Sequence, residues 1–265
     1  MRLVTWNVLW RFDPDWRARQ SAILRVLDEL QPDIVGLQEC WSTAEHSQAD
    51  VIAEHRGMHA AFASPSFPPI PSPPEHPDQQ GVLMGVGLVS RWPILDVHQH
   101  VLPVSHRQVA PVALEARVAT AEGTLFDVIV AATEWKPDFA DDHLAQAERL
   151  ADILSDADPT VPRFLLTDLN CDASQAEFAP VAAVATDTWE RGGGDPAAVT
   201  LSSAVSFAPR EAVKEIDRRV DHILVRGSSI AVDRAFIIDS PVDGVYPSDH
   251  FPVIADVRLG SARAS

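Results

Sequence analysis

The sequence predicts an α/β fold, and three observations carry that prediction. Strand-like apolar runs alternate with helix-period segments, and two strand–helix–strand units each finish on an acidic residue. An apolar fraction of 46% over 265 residues is enough for a substantial core. The recurrence of the unit points to an internal duplication at the level of structure, with no repeat at the level of residues.

In chain order, residues 2–10 read as a strand, and residues 15–31 as a helix with Trp16, Ile23, Leu24, Leu27 and Leu30 on one stripe. Pro32 ends that helix, and DIVGLQE gives a second strand finishing at Glu39. The stretch SPSFPPIPSPPEHP at 64–77 holds seven prolines, which excludes regular structure and predicts a stiff, exposed loop. GVGLVSRWPI reads as a strand closed by Trp92-Pro93, and ALEARVAT as a half-buried strand. The second unit follows: strand LFDVIVAAT, a helix over 140–155 with Leu144, Ala147, Leu150, Ala151 and Leu154 inward, then strand FLLTDLN. Ser174 and Glu177 have capping-box spacing and predict a short helix. RRVDHILV is a strand interrupted by one acid, and YPSDHFPVIADVRL a turn feeding a last strand. Residues 1–260 read as a single domain and 261–265 as a disordered tail.

Charge and cysteine usage narrow the function classes. Net charge is 21 − 38 = −17, which opposes binding along a nucleic-acid backbone, where affinity comes largely from Lys and Arg. The N-terminus enters strand sequence directly, with no secretion signal, and no run of about 18 apolar residues suggests a membrane span. Cys40 and Cys171 alone exclude a disulfide framework and favour a reducing compartment, so a cytoplasmic location is expected. Each follows a candidate functional residue, Glu39 and Asn170, and each is expected to be a small buried hydrophobe.

Polar residues interrupt apolar strands at their ends: Asn7, Glu39, Asp168, Asn170, Asp221, Asp249 and His250. Asp168 and Asn170 sit two apart, so on a strand their side chains share a face. Taken singly, such residues are turn formers or helix caps. Taken together, they are the types that bind hard cations or move protons, and they converge if their strands lie side by side.

At this point the sequence resembles the endonuclease/exonuclease/phosphatase superfamily of magnesium-dependent phosphoesterases. The resemblance is carried by TWNVLW, PDIVGLQE, GLVSRWPI, LLTDLN, RRVDHILV and SDHFPV, in order along nearly the whole chain. It implies a four-layer α/β sandwich, two mixed β-sheets packed face to face with helices outside, and a site at one edge. It further implies Glu39 as the main metal ligand, with Asn7 beside it and Asp249 near the metal or its water. Magnesium is the implied ion, with manganese as the alternative. His250 would be the general base, held by Asp221; Asp168 would orient the attacking water or assist the leaving oxygen; Asn170 would donate to a phosphate oxygen. Magnesium keeps several waters and needs only one or two protein carboxylates, which suits this set. A carboxylate against one imidazole nitrogen fixes the tautomer and supports the cation formed when the other takes a proton.

One departure stands out. Relatives usually carry Thr-His at the end of the strand before the second unit's helix, and here the residues are Thr133-Glu134. Lys136, His106 and Arg107 are the nearby cations, and Arg107 is the expected substitute contact to substrate. Glu134 is expected to turn away from the site; its neutralisation, by a second cation shared with neighbouring acids or by Lys136 or Arg107, is the alternative. Trp10, Trp41 and Trp135 lie just beyond site-bearing strands, where they either pack an edge or form a rim for an organic group, Trp10 being the candidate substrate contact. Trp6 alternates with Asn7 and should face the core.

The resulting expectation is a metal-dependent hydrolase acting on a small or medium organophosphate, as phosphatase or phosphodiesterase, working as a monomer with no membrane partner. A nuclease of the same superfamily is the first alternative, and its only dense basic cluster would be Arg210, Lys214, Arg218 and Arg219, diluted by Glu211, Glu215 and Asp217. A non-catalytic binding protein on this scaffold is the second.

Overall fold

The alternating pattern resolves into twelve strands and five α-helices in a computed structural model that describes residues 1–13, 15–156, 158, 160–209 and 216–260. The predicted tail at 261–265 lies outside the described residues, as do Arg210 and Lys214. In chain order the elements are β1 (Arg2–Asn7), α1 (Trp16–Leu30), β2 (Ile34–Ser42), α2 (Gln48–Arg56), β3 (His59–Ala63), β4 (Leu83–Ser90), β5 (Ile94–Val101) and β6 (Val112–Ala119). The second half holds β7 (Leu125–Ala132), α3 (Ala140–Ser155), β8 (Arg163–Asp168), α4 (Ala179–Val184), β9 (Thr186–Asp187), α5 (Thr188–Arg191), β10 (Asp221–Arg226), β11 (Ile230–Ile237) and β12 (Val253–Leu259).

The strands form two mixed six-stranded sheets, ordered β11-β12-β1-β2-β4-β3 and β5-β6-β7-β8-β10-β9. Each sheet has one parallel pair at its centre, β1 with β2 and β7 with β8, and each pair is joined by its helix. Each is flanked on one side by an antiparallel hairpin, β11-β12 or β5-β6, so the duplication read from the sequence is a duplication of topology.

Leu3, Ile34, Val86 and Val253 of the first sheet meet Val128, Val130, Leu166 and Ile223 of the second in the central core. Val4, Trp6, Val35 and Ile254 on the outer face of the first sheet pack against Ile23, Leu27 and Ile52 of α1 and α2. Ile129, Leu165 and Leu224 of the second sheet pack against Leu150, Leu154 and Val181 of α3 and α4. The architecture is the expected four-layer sandwich. The sheets approach closely at Gly36, where an added Cβ would stand 2.7 Å from Leu166 Cβ. Gln38 Nε2 donates to Leu166 O across the same gap, tying β2 to β8 just before the residues that form the site.

Several expectations shift. Leu144 is exposed, and His143 and Gln146 are buried instead, because α3 turns that stripe toward two loops, where His143 meets the Leu169 carbonyl after β8 and Gln146 the Pro103 carbonyl after β5. Ser174 engages Asp172 rather than capping a helix, and the helical turn at Ala176–Phe178 begins after Gln175 without a side-chain cap. The proline-rich stretch is irregular as expected, but not wholly exposed: Ser66 and Phe67 are buried, and Val112 N–H donates to Pro65 O. β5 was hidden in the sequence because it is an edge strand with mostly exposed side chains.

Candidate active site

The ends of β1, β8 and β10, a bulge within β2, which runs on past Glu39 to Ser42, and the loop before β12 deliver the polar residues to one edge of the sandwich. Asn7 closes β1 and is buried, with its amide nitrogen 2.9 Å from both Glu39 Oε1 and Asp168 Oδ2. Two carboxylate neighbours require the NH2 end there, and Asn7 Oδ1 in turn accepts from Leu9 N–H. Glu39 projects from a bulge in β2, where the register with β4 shifts between Leu37 and Cys40 and Glu39 takes a φ of 50°. A bulge of this kind re-aims a side chain, and here it turns Glu39 to the edge of a cavity.

Asp168 and Asn170 do meet at the site, but not by strand alternation. β8 ends at Asp168, and Asn170 lies in the left-handed region at φ 49°. Asn170 N–H caps Asp168 Oδ1 at 2.9 Å, and its amide donates to Thr133 O at 3.0 Å. Asn tolerates this conformation better than most residues, which is a structural reason for its presence here.

His250 is fixed on three sides. Its N–H donates to Ser248 Oγ, its carbonyl accepts from Trp6 Nε1, and its Nδ1 lies 2.8 Å from Asp221 Oδ2. The carboxylate accepts the Nδ1 proton, so Nε2 is the atom turned toward Asp168 Oδ2, 4.0 Å away. Trp6 therefore faces the core as expected and also anchors His250. Arg19, which the sequence reading missed, donates to the carbonyls of Val8, Leu9, Trp10 and Pro247 and ties the loops after β1 and before β12 together. A lone Arg in an amphipathic helix carries no signal of that role.

The electrostatics are those of crowded acids. Burial, then the charge of Asp249, pushes the Glu39 carboxyl up to about 8, against a hydrogen bond from Asn7. Burial, then Asp221, raises Asp168 to about 6, and burial raises Asp249. Burial alone would lower His250, but the Asp221 and Asp168 carboxylates outweigh it and hold the imidazole well above the usual range. Glu39 Oε2 and Asp221 Oδ1 are enclosed without hydrogen-bond partners. Cys40 and Cys171 are buried, and burial pushes the Cys40 thiol up to about 12, so it is no nucleophile.

Glu39, Asp168, Asn170, Asp249 and His250 line one cavity of about 460 Å³. A larger groove of about 980 Å³ between Ala182–Thr186 and Val225–Val232 has no carboxylate or imidazole in its lining and is not the chemical site. Asp168, Asp221 and His250 each place one ligand atom within 4.8 Å of the others, a set that can hold a metal ion. Of its two acids, only Asp168 reaches the cavity, since Asp221 lies beneath His250.

Two expected substrate contacts are placed elsewhere. Trp10 is buried, donates from its indole to Leu83 O and packs on Phe12, away from the cavity lining. Arg107 forks onto Glu134, with Nε 2.5 Å from Oε2 and Nη2 2.6 Å from Oε1, and does not line the cavity either. Trp41 is buried, whereas Trp135 does line the cavity, as do Phe12, Phe67, Phe207 and Leu201. Phe67, the one aromatic residue in the proline-rich stretch, was the available sign that this loop does more than cover the surface. Of the basic cluster, Arg218 pairs with Asp172 and Arg219 with Asp187. Among the described residues, no helix is long and apolar enough to cross a membrane.

Comparisons with known proteins agree with this fold. A family model described as the endonuclease/exonuclease/phosphatase family matches residues 4–250. Among solved structures, the fold is similar to D. rerio TDP2 complexed with a single-strand DNA product, with a TM-score of 0.76 at 18% identity over 98% of this chain and 99% of that one. It is similar to the human Nocturnin catalytic domain with bound sulfate, with a TM-score of 0.76 at 19% identity over 98% and 93% of the two chains. It is also similar to a mannosyl-6-phosphatase of Bacteroides thetaiotaomicron, with a TM-score of 0.73 at 16% identity over 98% and 100%. No curated protein matches in sequence.

Proposed function

This chain belongs to the endonuclease/exonuclease/phosphatase family, and from that premise we propose that it hydrolyses a phosphoester of a small or medium organic molecule by direct attack of water on phosphorus. The observation that carries the reading is the pairing of an imidazole, oriented through Asp221, with a carboxylate at the same cavity whose Oε2 has no hydrogen-bond partner, that of Glu39. A general base and a hard-cation ligand facing one space are the minimum equipment for metal-assisted hydrolysis.

The residues fit a divalent cation. Three buried or half-buried acids, Glu39, Asp168 and Asp249, face the cavity, and Glu39 Oε2 has no donor near it. Oxygen donors alone suit magnesium, with manganese as an alternative. Glu39 and Asp249 would hold the ion, while Asn7, whose NH2 group bridges Glu39 and Asp168, orients the carboxylates. When bound, the ion supplies positive charge to the phosphoryl oxygens and to its own waters. His250 Nε2 takes a proton from the attacking water, and Asp221 stabilises the imidazolium through Nδ1. Asp168 orients that water, and the amide hydrogen of Asn170 not used by Thr133 O is available to a phosphoryl oxygen.

A nuclease role is disfavoured by the net charge of −17 and by a cavity lining without Lys or Arg among the described residues. A pure binding role would leave the His250–Asp221 pair without use. The test is a panel of phosphomonoesters and phosphodiesters assayed with and without magnesium. Turnover that requires the ion and is lost in His250→Ala is expected; metal-independent turnover, or none on any phosphoester, would overturn the reading.

A further inference from the structure

The departure at Glu134 leads to the substrate. Glu134 is fully buried and receives four donors: both arms of the Arg107 fork, and the backbone N–H groups of Trp135 and Lys136 at 3.0 Å each. The chain after β7 thus wraps around the carboxylate. The same guanidinium packs against three rings, 4.3 Å from the Trp135 centroid, 4.8 Å from Phe67 and 5.1 Å from Phe139. Phe67 and Trp135 meet edge to face at 5.7 Å, although one sits in the proline-rich loop and the other follows β7. One buried ion pair therefore clasps two loops and sets their rings side by side along the cavity.

The rest of the lining has the same character. Leu9, Phe12, Pro68, Leu201, Phe207 and Pro209 are apolar, and the carboxylate of Glu75 adds negative charge to that of the catalytic acids. No Lys or Arg lines the cavity among the described residues. Two cations close to the site are committed elsewhere, Arg107 to Glu134 and Arg19 to backbone carbonyls. A metal at Glu39 and Asp249 would neutralise one phosphoryl group, and a second phosphate would find, among the described residues of the lining, no Lys or Arg to meet it.

Resting on the phosphoesterase reading, we infer that the cavity takes a phosphoester with a single phosphoryl centre on an uncharged apolar group, that Phe67 and Trp135 are the specificity-determining wall for that group, and that Arg107 and Glu134 position the wall.

The test compares benzyl phosphate with methyl phosphate, and benzyl methyl phosphate with dimethyl phosphate, all with magnesium and followed by phosphorus NMR. The paired alcohols are of similar basicity, so a preference reports on binding of the apolar group. One aromatic contact is worth roughly a factor of ten, so kcat/KM should favour the benzyl member at least about tenfold, mainly through KM. Trp135→Leu and Phe67→Leu should each collapse that ratio, and Arg107→Lys, which cannot fork onto Glu134, should lower it in the same way. A wild-type ratio near one, a ratio unmoved by the variants, or preferred turnover of a nucleoside diphosphate would overturn the inference. Calorimetry with phenylphosphonate and methylphosphonate separates the two readings. If no ester is hydrolysed yet phenylphosphonate binds more tightly in a Trp135-dependent manner, the hydrolase reading fails and the wall stands.

Discussion

His250 Nδ1 and Asp221 Oδ2 lie 2.8 Å apart in a region closed to solvent, joined across the sandwich from the loop before β12 to the first residue of β10. Such a contact leaves only one imidazole nitrogen for chemistry, and the carboxylate decides which one it is.

Residues that act through one proton lose function together. The double variant His250→Ala/Asp221→Ala is therefore expected to be little slower than His250→Ala alone, in kcat measured with saturating magnesium. Multiplying losses would show that the two residues act separately. The raised proton affinity of His250 adds a sign: the base must be neutral, so kcat/KM rises with pH until the imidazolium has lost its Nε2 proton.

Glu39 makes a prediction about stability without metal. Its carboxyl titrates at about 8 in the folded protein against an ordinary 4.5. Between those values the unfolded chain releases the proton and the folded one keeps it, so stability falls as pH rises through that window, by on the order of a few kcal/mol. Below it both states are protonated and nothing is lost. Urea unfolding of the metal-free protein from pH 5 to 8 is expected to show the decline, magnesium to reverse it, and Glu39→Gln to flatten it while abolishing magnesium binding in calorimetry. A Glu39→Gln protein that keeps both the slope and the magnesium affinity would remove Glu39 from the metal site.

Gly36→Ala probes the junction between the sheets. The added methyl would stand 2.7 Å from Leu166 Cβ, so β2 and β8 must separate or distort. Overpacking of this kind costs about 1–3 kcal/mol. Turnover is expected to drop more than the stability loss alone explains, since Glu39 and Asp168 follow Gly36 and Leu166 on the two strands and share the Asn7 amide. Unfolding free energy and kcat measured on the same preparation check both parts.

Removing either partner of the Arg107–Glu134 fork leaves a buried charge uncompensated. Glu134→Leu or Arg107→Met alone is expected to cost about 3 kcal/mol, whereas the double variant recovers most of it. Glu134→His, which would restore the histidine usual in relatives, is expected to destabilise the protein and not to raise the rate, because residue 134 points at Arg107 rather than into the cavity. A rate increase in Glu134→His would show that the side chain can reach the phosphoryl group.

Much of this protein was legible in the chain alone. Periodicity sufficed for both strand–helix–strand units, because a helix burying Ile23 and Leu27, or a strand burying Phe164 and Leu166, must repeat its apolar residues at the period of its own geometry. Seven polar residues at strand ends stood out for the same reason: apolar strands make their exceptions visible. What the sequence left open was direction. Glu39 and Asn170 reach the site through left-handed backbone, Asn7 turns its nitrogen rather than its oxygen toward the acids, and Trp10 and Arg107 face neighbours instead of the cavity. Phe67 and Trp135 become one wall only because Arg107, between them in the chain, packs against both. These outcomes depend on which groups the two sheets and their loops bring within 3–5 Å of each other. Local sequence constrains a residue's own backbone preference and burial, whereas the partner that meets a side chain comes from tens or hundreds of residues away and is chosen by the packing of the whole sandwich.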